Sequence, residues 1–239
     1  AYDAAHPLLI DPTYAWHTFQ GSAANDFGYD IAVDGDGNVY VTGTSDAGWG
    51  TPLHPHSGGS ATNLVVMKFD SAGTLQWHTF YGSGGSAGYN EGRGIAVDDS
   101  GDVYVTGYSS HTWGAPLHPF SAPAGSTDLV VLKLDSAGAL QWHTFYGSPA
   151  PNAYGSSESY GFDIAVDGSG GDVHVTGSSY ATWTGPSGQA PLNAHGGSWG
   201  GDLVVLKLTG AGAYQWHTLH GSSSSYADGQ GIAVDGSGN

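Results

Sequence analysis

The stretch DIAVDGDGNVYVTG, Asp30–Gly43, decides the fold, because it contains two short apolar runs joined by a polar turn. Ile, Val and Tyr favour β-strands. Asp can bond its own backbone two residues on, and Gly accepts positive φ, so both residues suit a tight turn between strands. The stretch therefore predicts an antiparallel β-hairpin.

Both runs recur along the chain, together with two further series of short runs. We call the four series strands A (IAVD), B (VYVTG), C (LVVLKL) and D (WHTF). Strand A begins at Ile31, Ile95, Ile164 and Ile232; strand B at Val39, Val103 and Val173; strand C at Leu64, Leu129 and Leu203; strand D at Trp16, Trp77, Trp142 and Trp216. Strand A recurs after 64, 69 and 68 residues. No segment shows a helical period. Four antiparallel strands per unit are typical of a propeller blade, so we predict an all-β propeller.

The repeats LQWHTFYGS, GIAVD, VYVTG and DLVVLKLDSAG resemble the bacterial SBBP repeat, a family described as a seven-bladed β-propeller repeat. The resemblance covers nearly the whole chain from Trp16 onward. It implies propeller architecture and a secreted or surface setting. It implies no established reaction, so no catalytic residues are carried over.

Three units are complete, at 29–82, 93–147 and 162–220. Before them, Pro7–Asp11 is predicted as a worn strand C and Trp16–Phe19 as a strand D. After them comes one strand A, Gly231–Asp235. We therefore predict a single domain, 1–239, divided into an N-terminal C–D part, three repeats and an incomplete repeat: 1–28, 29–92, 93–161, 162–229 and 230–239.

This order predicts four blades, the last shared between the two ends of the chain, which is a small ring by the standard of propellers. The shared blade lacks strand B. Three explanations stay open: the sequence is a piece of a longer chain, strand B comes from another copy and builds a filament, or the units form an arc of a seven-bladed ring. An unpaired edge is a template for strand addition, which gives the second explanation a mechanism.

The charge and hydrophobic composition exclude some classes of binding partner. The chain has 4 Lys plus Arg against 21 Asp plus Glu, a formal charge of −17 and no Cys. Phosphate contacts need many cations, so we expect no nucleic-acid partner. No run of about 18 apolar residues exists, so we expect no membrane insertion. The Gly-, Ser- and Tyr-rich text suggests an extracellular or cell-surface protein, and no signal peptide is visible in this sequence.

The long B–C loops are the place where we expect any ligand, because loops on a rigid scaffold usually carry function. Their candidate binding side chains are aromatic or imidazole groups: Trp49, Trp113, Trp183, Trp199, His54, His56 and His118. Imidazoles suit transition metals, but the histidines shift position between loops, which favours packing over a metal site. The turn DGDGN resembles the start of a calcium loop at Asp34 and Asp36, yet it lacks the bidentate Glu, so a hairpin turn is the plainer interpretation and calcium the alternative.

Residues that recur at one position of every unit are expected to be structural. These are Trp16, Trp77, Trp142 and Trp216, with Lys68, Lys133 and Lys207, each lysine pairing with a carboxylate or carbonyl groups. The histidine after each of these tryptophans follows the same logic. Arg93 is the one cation outside the pattern, and Glu91 is its expected partner.

We therefore expect a non-enzymatic, secreted structural or adhesive propeller, with other copies of itself or surface glycans as partners and no required cofactor. Self-assembly into filaments through the shared blade is the more specific form. The alternatives are a lectin-like propeller using the loop aromatics, and a loop-face hydrolase or lyase. Motifs such as G-x-S-x-G and HExxH are absent from the sequence, which weakens the enzyme alternative.

Overall fold

The computed structural model describes residues 15–59, 61–84, 88–168, 171–197, 199–222 and 225–235. These residues form three four-stranded antiparallel sheets, each with its strands in chain order. The strands are β1 Asp26–Val33, β2 Val39–Ser45, β3 Asn63–Phe69, β4 Leu75–Tyr81, β5 Asn90–Val97, β6 Val103–Ser109, β7 Asp128–Leu134, β8 Leu140–Tyr146, β9 Ser159–Val166, β10 Asp172–Ser179, β11 Asp202–Thr209 and β12 Tyr214–His220. The predicted propeller of A–B–C–D blades is confirmed: the first blade is β1–β4, the second β5–β8 and the third β9–β12.

Strand A of each blade begins five residues before the IAVD run that predicted it, and the added part of each strand carries a β-bulge. The register slips across Tyr29 in β1, Arg93 in β5 and Phe162 in β9. A bulge leaves one residue unpaired and turns its side chain away from the ladder. The glycine of the VTG motif lies opposite, where a Cβ would strike the carbonyl oxygen of the bulged strand, for example at Gly43 against Phe27.

The blades stack through their first strands. Strand β5 packs on β1, β2 and β3, and β9 packs in the same way on β5, β6 and β7. Ile95 and Ile164 are buried in these two interfaces. Each such side chain contributes about 1.5–3 kcal/mol when it leaves water. The hydrophobic core therefore lies between blades as much as within them.

A tryptophan of strand D locks each blade to the next one. The Trp77 indole donates from Nε1 to the carbonyl oxygen of Ser136, at 3.3 Å, in the C–D turn of the second blade. Trp142 makes the equivalent bond, 3.1 Å, to Gly210 in the third blade. Beside these bonds lie Gly138 and Gly212, each with positive φ and each facing a tryptophan ring and a leucine of the preceding blade. The recurring tryptophans form an inter-blade clamp.

The N-terminal segment repeats the tryptophan contact of the inter-blade clamp, although the strand predicted there does not form. Residues 15–20 lie outside the sheets. Trp16 nevertheless donates to the carbonyl oxygen of Ser71 at 3.2 Å and lies over Gly73 of the first blade. The strand D predicted at Trp16–Phe19 has no strand assignment in the described part of the chain, and its expected partner at Pro7–Asp11 lies outside the described residues. Its tryptophan has the predicted structural position.

The C-terminal segment occupies the place of a fourth strand A. Gly229 lies against Thr176, as Gly161 lies against Thr106 one blade earlier. Its amide donates to Gly177, and Ile232 donates to Asp163. The strand predicted at Gly231–Asp235 does not form a ladder, because no strand B pairs with it among the described residues. The contacts of Gly229 and Ile232 place the segment beside the third blade.

The outer face of β1 is bare. Ile31 is 60% exposed, whereas its equivalents Ile95 and Ile164 are 5% and 4% exposed. Phe27 and Val33 on the same strand are also exposed. The difference arises because β5 and β9 each pack against a preceding blade, and the described residues place no full blade before β1.

Replacing Gly138 by Ala tests the clamp. We expect a loss of about 2–4 kcal/mol in the free energy of unfolding, from positive φ and from a Cβ placed 2.6 Å from Leu53 and 2.8 Å from Trp77. Gly125 is the matched control, since its φ is +89° and nothing lies within 4 Å of its added Cβ. Gly125→Ala should therefore lose only about 1–2 kcal/mol. Equal losses in denaturant titrations would show that the clamp adds nothing.

Candidate functional site

The loop tryptophans are part of the core. Trp113 is stacked on His143 with ring centres 4.0 Å apart and 5° between planes, and Trp183 is stacked on His217 at 3.5 Å and 3°. Trp49 repeats the arrangement on His78 at 3.9 Å and 2°. Trp113 and Trp183 are buried. A histidine of strand D therefore covers one face of each indole, and burial leaves Trp113 and Trp183 without the open platform that a sugar ring needs; Trp49 is half-buried.

The strand D histidines of the complete blades are held in place by their loops. His143 donates from Nε2 to the carbonyl oxygen of Trp113 at 2.8 Å, and His78 bonds Trp49 in the same way at 2.9 Å. Burial lowers the pKa of His143, and burial lowers the pKa of His217 to about 4. A histidine that bonds a backbone carbonyl and stacks on an indole holds a loop in place. The stack explains why His follows Trp in the complete blades.

The remaining loop candidates are mostly engaged as well. His54 and His118 bond the carbonyl oxygens of Phe80 and Phe145 at 2.7 Å. His56 bonds Ser45 at 3.1 Å. Trp199 differs, because it is 50% exposed and meets Tyr226, 51% exposed, edge to face at 4.7 Å. It is the one predicted loop tryptophan that the described residues leave open to solvent.

The recurrent lysines sit beside strand B. Lys133 and Lys207 form ion pairs with Asp102 at 2.8 Å and with Asp172 at 2.7 Å. Lys68 has Asn38 where the second blade has Asp102, and it contacts the carbonyl oxygen of Ser136 at 3.4 Å instead. The lysines thus have the carboxylate and carbonyl partners that a structural role requires.

The Asp34 carboxylate, a ligand of the alternative calcium site, already accepts hydrogen bonds from its own turn. Asp34 Oδ1 accepts the amides of Asp36 and Asn38, and Oδ2 accepts the Asn38 side chain and the Tyr40 hydroxyl. Those bonds close a hairpin turn. Over the residues that the structure describes, no group of three or more His, Asp or Glu side chains could hold a metal ion.

The base of each B–C loop is tied to the start of strand C. Asn63 accepts the Ser57 amide at 2.7 Å and donates to its hydroxyl at 2.8 Å. In the second blade, Asp128 accepts the Ser121 amide at 2.6 Å and is fully buried. Burial raises the pKa of Asp128 to about 6. An amide and a carboxylate thus perform one structural task in successive blades.

The bulged residues meet on the propeller axis. A cavity of about 320 Å³ is lined by Tyr29, Asp30, Arg93, Phe162, Asp163 and Gln230. Three of these are the bulged residues of β1, β5 and β9, and Gln230 takes the same place in the fourth segment. Residues of four consecutive A segments thus line one small cavity.

The charged side chains at this axial cavity have two kinds of partner: Arg93 contacts a carboxylate and an aromatic ring, and the aspartates accept backbone amides. Arg93 Nη2 lies 2.6 Å from Glu91, the partner expected from the sequence, and its guanidinium lies 4.0 Å from the centre of the Tyr29 ring. Asp30 accepts the amides of Ile31 and Ile95, each at 2.8 Å. Asp163 accepts those of Ile164 and Ile232, again at 2.8 Å. The aspartates therefore tie neighbouring strands together.

Sequence reasoning placed the candidate site on the loop face and missed the axial cavity. A signal was present, because the two residues before IAVD differ between repeats: YD, RG, FD and QG. Variation inside an otherwise constant repeat marks positions released from a shared structural task. The loop aromatics were chosen for residue type, and their burial could not be read from that.

The fold, the repeated blade and the axial cavity define a β-propeller repeat protein. The sequence profile of the SBBP beta-propeller repeat family matches residues 15–48 and 76–112. The chain thus carries SBBP propeller repeats, and the resemblance inferred from its motifs is confirmed. No curated protein matches the sequence. No described helix is long and apolar enough to cross a membrane.

Replacing Asp128 by Asn tests the buried carboxylate. Because its pKa is higher in the folded state, 6 against 3.8, ionisation destabilises the fold as pH rises from about 4 to about 6. Asp128→Asn should remove that loss and stabilise the protein at pH 7 by up to about 3 kcal/mol.

The comparison requires unfolding curves of both proteins between pH 4 and 8. His217 has the opposite dependence, since its lowered pKa costs stability as pH falls, so the difference between the two proteins is the quantity to compare. Asn63 already holds this position in the first blade and serves as the structural precedent. A difference that does not change with pH would contradict the assignment.

Proposed function

We propose that this protein is a non-catalytic, extracellular or cell-surface scaffold that associates with further copies of itself. The observation that carries the proposal is that the recurrent Trp, His and Lys side chains are used in the same structural contacts blade after blade. Side chains that a catalytic reading would need, the histidines above all, are bonded to backbone carbonyls or stacked on indoles. The acidic composition and the repeat family support the surface setting.

The bare face of β1 supports the self-association. In the second and third blades the equivalent face is covered by a preceding blade of the same repeat type. A blade of this kind is therefore the best complement to the exposed Ile31 and Val33, which lie on the same face of the first blade as their β2 partners Val41 and Val39. A second copy of the chain supplies such blades, with the side chains already shaped to that surface. Large exposed apolar surfaces of this kind mark interaction sites.

Replacing Ile31 by Lys tests the association. We expect the wild-type protein to form concentration-dependent oligomers or fibres, and Ile31→Lys to stay monomeric with an unchanged melting temperature, because a charge would be buried in the contact. Light scattering after gel filtration and electron microscopy give the readout. Tyr154→Lys is the control, since Tyr154 is an exposed aromatic residue away from β1.

A monomeric wild-type protein at every concentration would refute self-association. Assembly of Ile31→Lys at the wild-type concentration would place the contact elsewhere.

A second candidate function, glycan binding, has one specific observation in its favour. Trp199 and Tyr226 are both half exposed and meet edge to face, which leaves indole surface open on the loop side of the third blade. Trp199 lies in the insertion GGSWGG, which the other two B–C loops lack. Exposed aromatic rings with a polar surround suit the faces of sugar rings.

Glycan-array binding by the wild-type protein and by Trp199→Ala separates the two functions. If the loop binds glycans, Trp199→Ala should weaken the signal at least about tenfold, the value of a lost aromatic contact of about 1.4 kcal/mol. Trp113→Ala is unsuitable as a control because Trp113 is buried. Tyr154→Ala, an exposed aromatic residue on another loop, is suitable. No wild-type binder would dismiss this function and leave the scaffold proposal unaffected.

A further inference from the structure

The axial cavity has two halves of one design. Each half takes a bulged aromatic and an aspartate from one strand, and a polar residue followed by glycine from the next. The first half is Tyr29, Asp30, Arg93 and Gly94; the second is Phe162, Asp163, Gln230 and Gly231. The two halves face each other across the axis, so a difference between them is a difference in what the cavity offers.

In the first half a cation is built into the wall. The Arg93 guanidinium lies 4.0 Å from the Tyr29 ring centre and 5.6 Å from the Tyr108 ring centre. Glu91 compensates its charge at 2.6 Å. A cation over an aromatic face is favourable by about 0.5–2 kcal/mol, depending on how far both groups have left water. The fold therefore already shows a cation on the aromatic face in this position.

In the second half that cation is replaced by an uncharged residue. Gln230 stands where Arg93 stands in the first half, and no described Lys or Arg lies over the Phe162 ring. Asp163 receives two backbone amides, but no described Lys, Arg or His lies within 4 Å of its carboxylate. Asp30 is in the same condition. Since Glu91 cancels Arg93, the cavity keeps the net negative charge of two aspartates.

We propose that the axial cavity binds a small ligand through a primary ammonium group, which sits over Phe162 and against Asp163 while Gln230 accepts or donates a further hydrogen bond. The aromatic face and the uncompensated carboxylate both favour a cation. A volume of about 320 Å³ is at the small end of ligand pockets, which limits the ligand to a single sugar ring or a short amine. An amino sugar and an alkylamine share this chemistry.

The site does not depend on the scaffold function, because it uses residues of strand A that face the axis and not the face of β1 on which Ile31 lies. Its position also fits the role of the bulges, which often re-aim side chains beside functional sites. Tyr29, Arg93 and Phe162 are the unpaired residues of their strands.

Calorimetric titration tests the proposal with matched probes. Glucosamine is compared with N-acetylglucosamine, which has the same ring without the charge, and butylamine is compared with butanol. We expect saturable binding, one ligand per chain, for at least one amine, and at least about tenfold weaker binding for its neutral partner. The two amines separate an amino sugar from an alkylamine as the source of the ammonium group.

Three variants locate the site. Gln230→Arg copies the first half, places a cation over Phe162 and should abolish binding. Asp163→Asn should weaken binding at least about tenfold; its single oxygen keeps an acceptor for one of the two amides, of Ile164 and Ile232, that the carboxylate binds. Asp228→Asn removes the same charge from an exposed neighbour on the same segment and should bind as the wild type does. Circular dichroism and melting curves check that each variant is folded.

Two results would overturn the proposal: neutral probes that bind as tightly as the amines, or a folded Gln230→Arg variant that binds the amine with wild-type affinity. The absence of binding by any of the four probes at millimolar concentration would also overturn it. A protein that binds amines and remains monomeric would support the axial site and reject self-association, so the two proposals can fail separately.

Discussion

The contact on which the rest of the structure depends is the fit of a tryptophan from one blade into the C–D turn of the next. Trp16, Trp77 and Trp142 all donate to a carbonyl oxygen in that turn. The glycine of this turn has positive φ and also lies close to an indole ring. Because a side chain would be strained by the first condition and would clash under the second, only glycine suits the position. A sheet of four strands is marginal alone, and this contact makes the stacked blades one body.

The B–C loops belong to the same body. Each complete blade lays a loop tryptophan on a strand D histidine, and the loop backbone bonds the same strand around that stack. In the second blade, burial lowers the pKa of His143, and its ring nitrogen donates to the carbonyl oxygen of Trp113, which would otherwise be costly to bury. Long loops rich in Gly and Ser are therefore ordered by a few aromatic contacts, and the open aromatic surface of the third blade stands out against that background.

The fold could be read from the sequence because four constant runs per unit, each rich in strand-forming residues, determine one blade. Strand D at Trp16 failed as a strand because pairing needs a partner, which a run of residues does not reveal. The site was harder to predict. Trp113 and His54 have the residue types of binding groups, but only the stacking in three dimensions shows that their ring faces and nitrogens are used. Tyr29 and Arg93 were overlooked because a bulge is a matter of register, and register depends on the partner strand.

The bulges have a consequence for how this architecture can change. A residue that pairs in the ladder is constrained by its hydrogen-bonded partner and by its packing. The bulged residue of each strand A has no partner in the ladder, and its side chain lines the axial cavity. The three bulged residues and Gln230, which has the equivalent place in the fourth A segment, carry a phenol, a guanidinium, a phenyl ring and an amide in repeats that are otherwise similar. The propeller thus separates the contacts that join the blades from the four residues that line the axial cavity. Those four residues can be substituted without changing the contacts that join the blades.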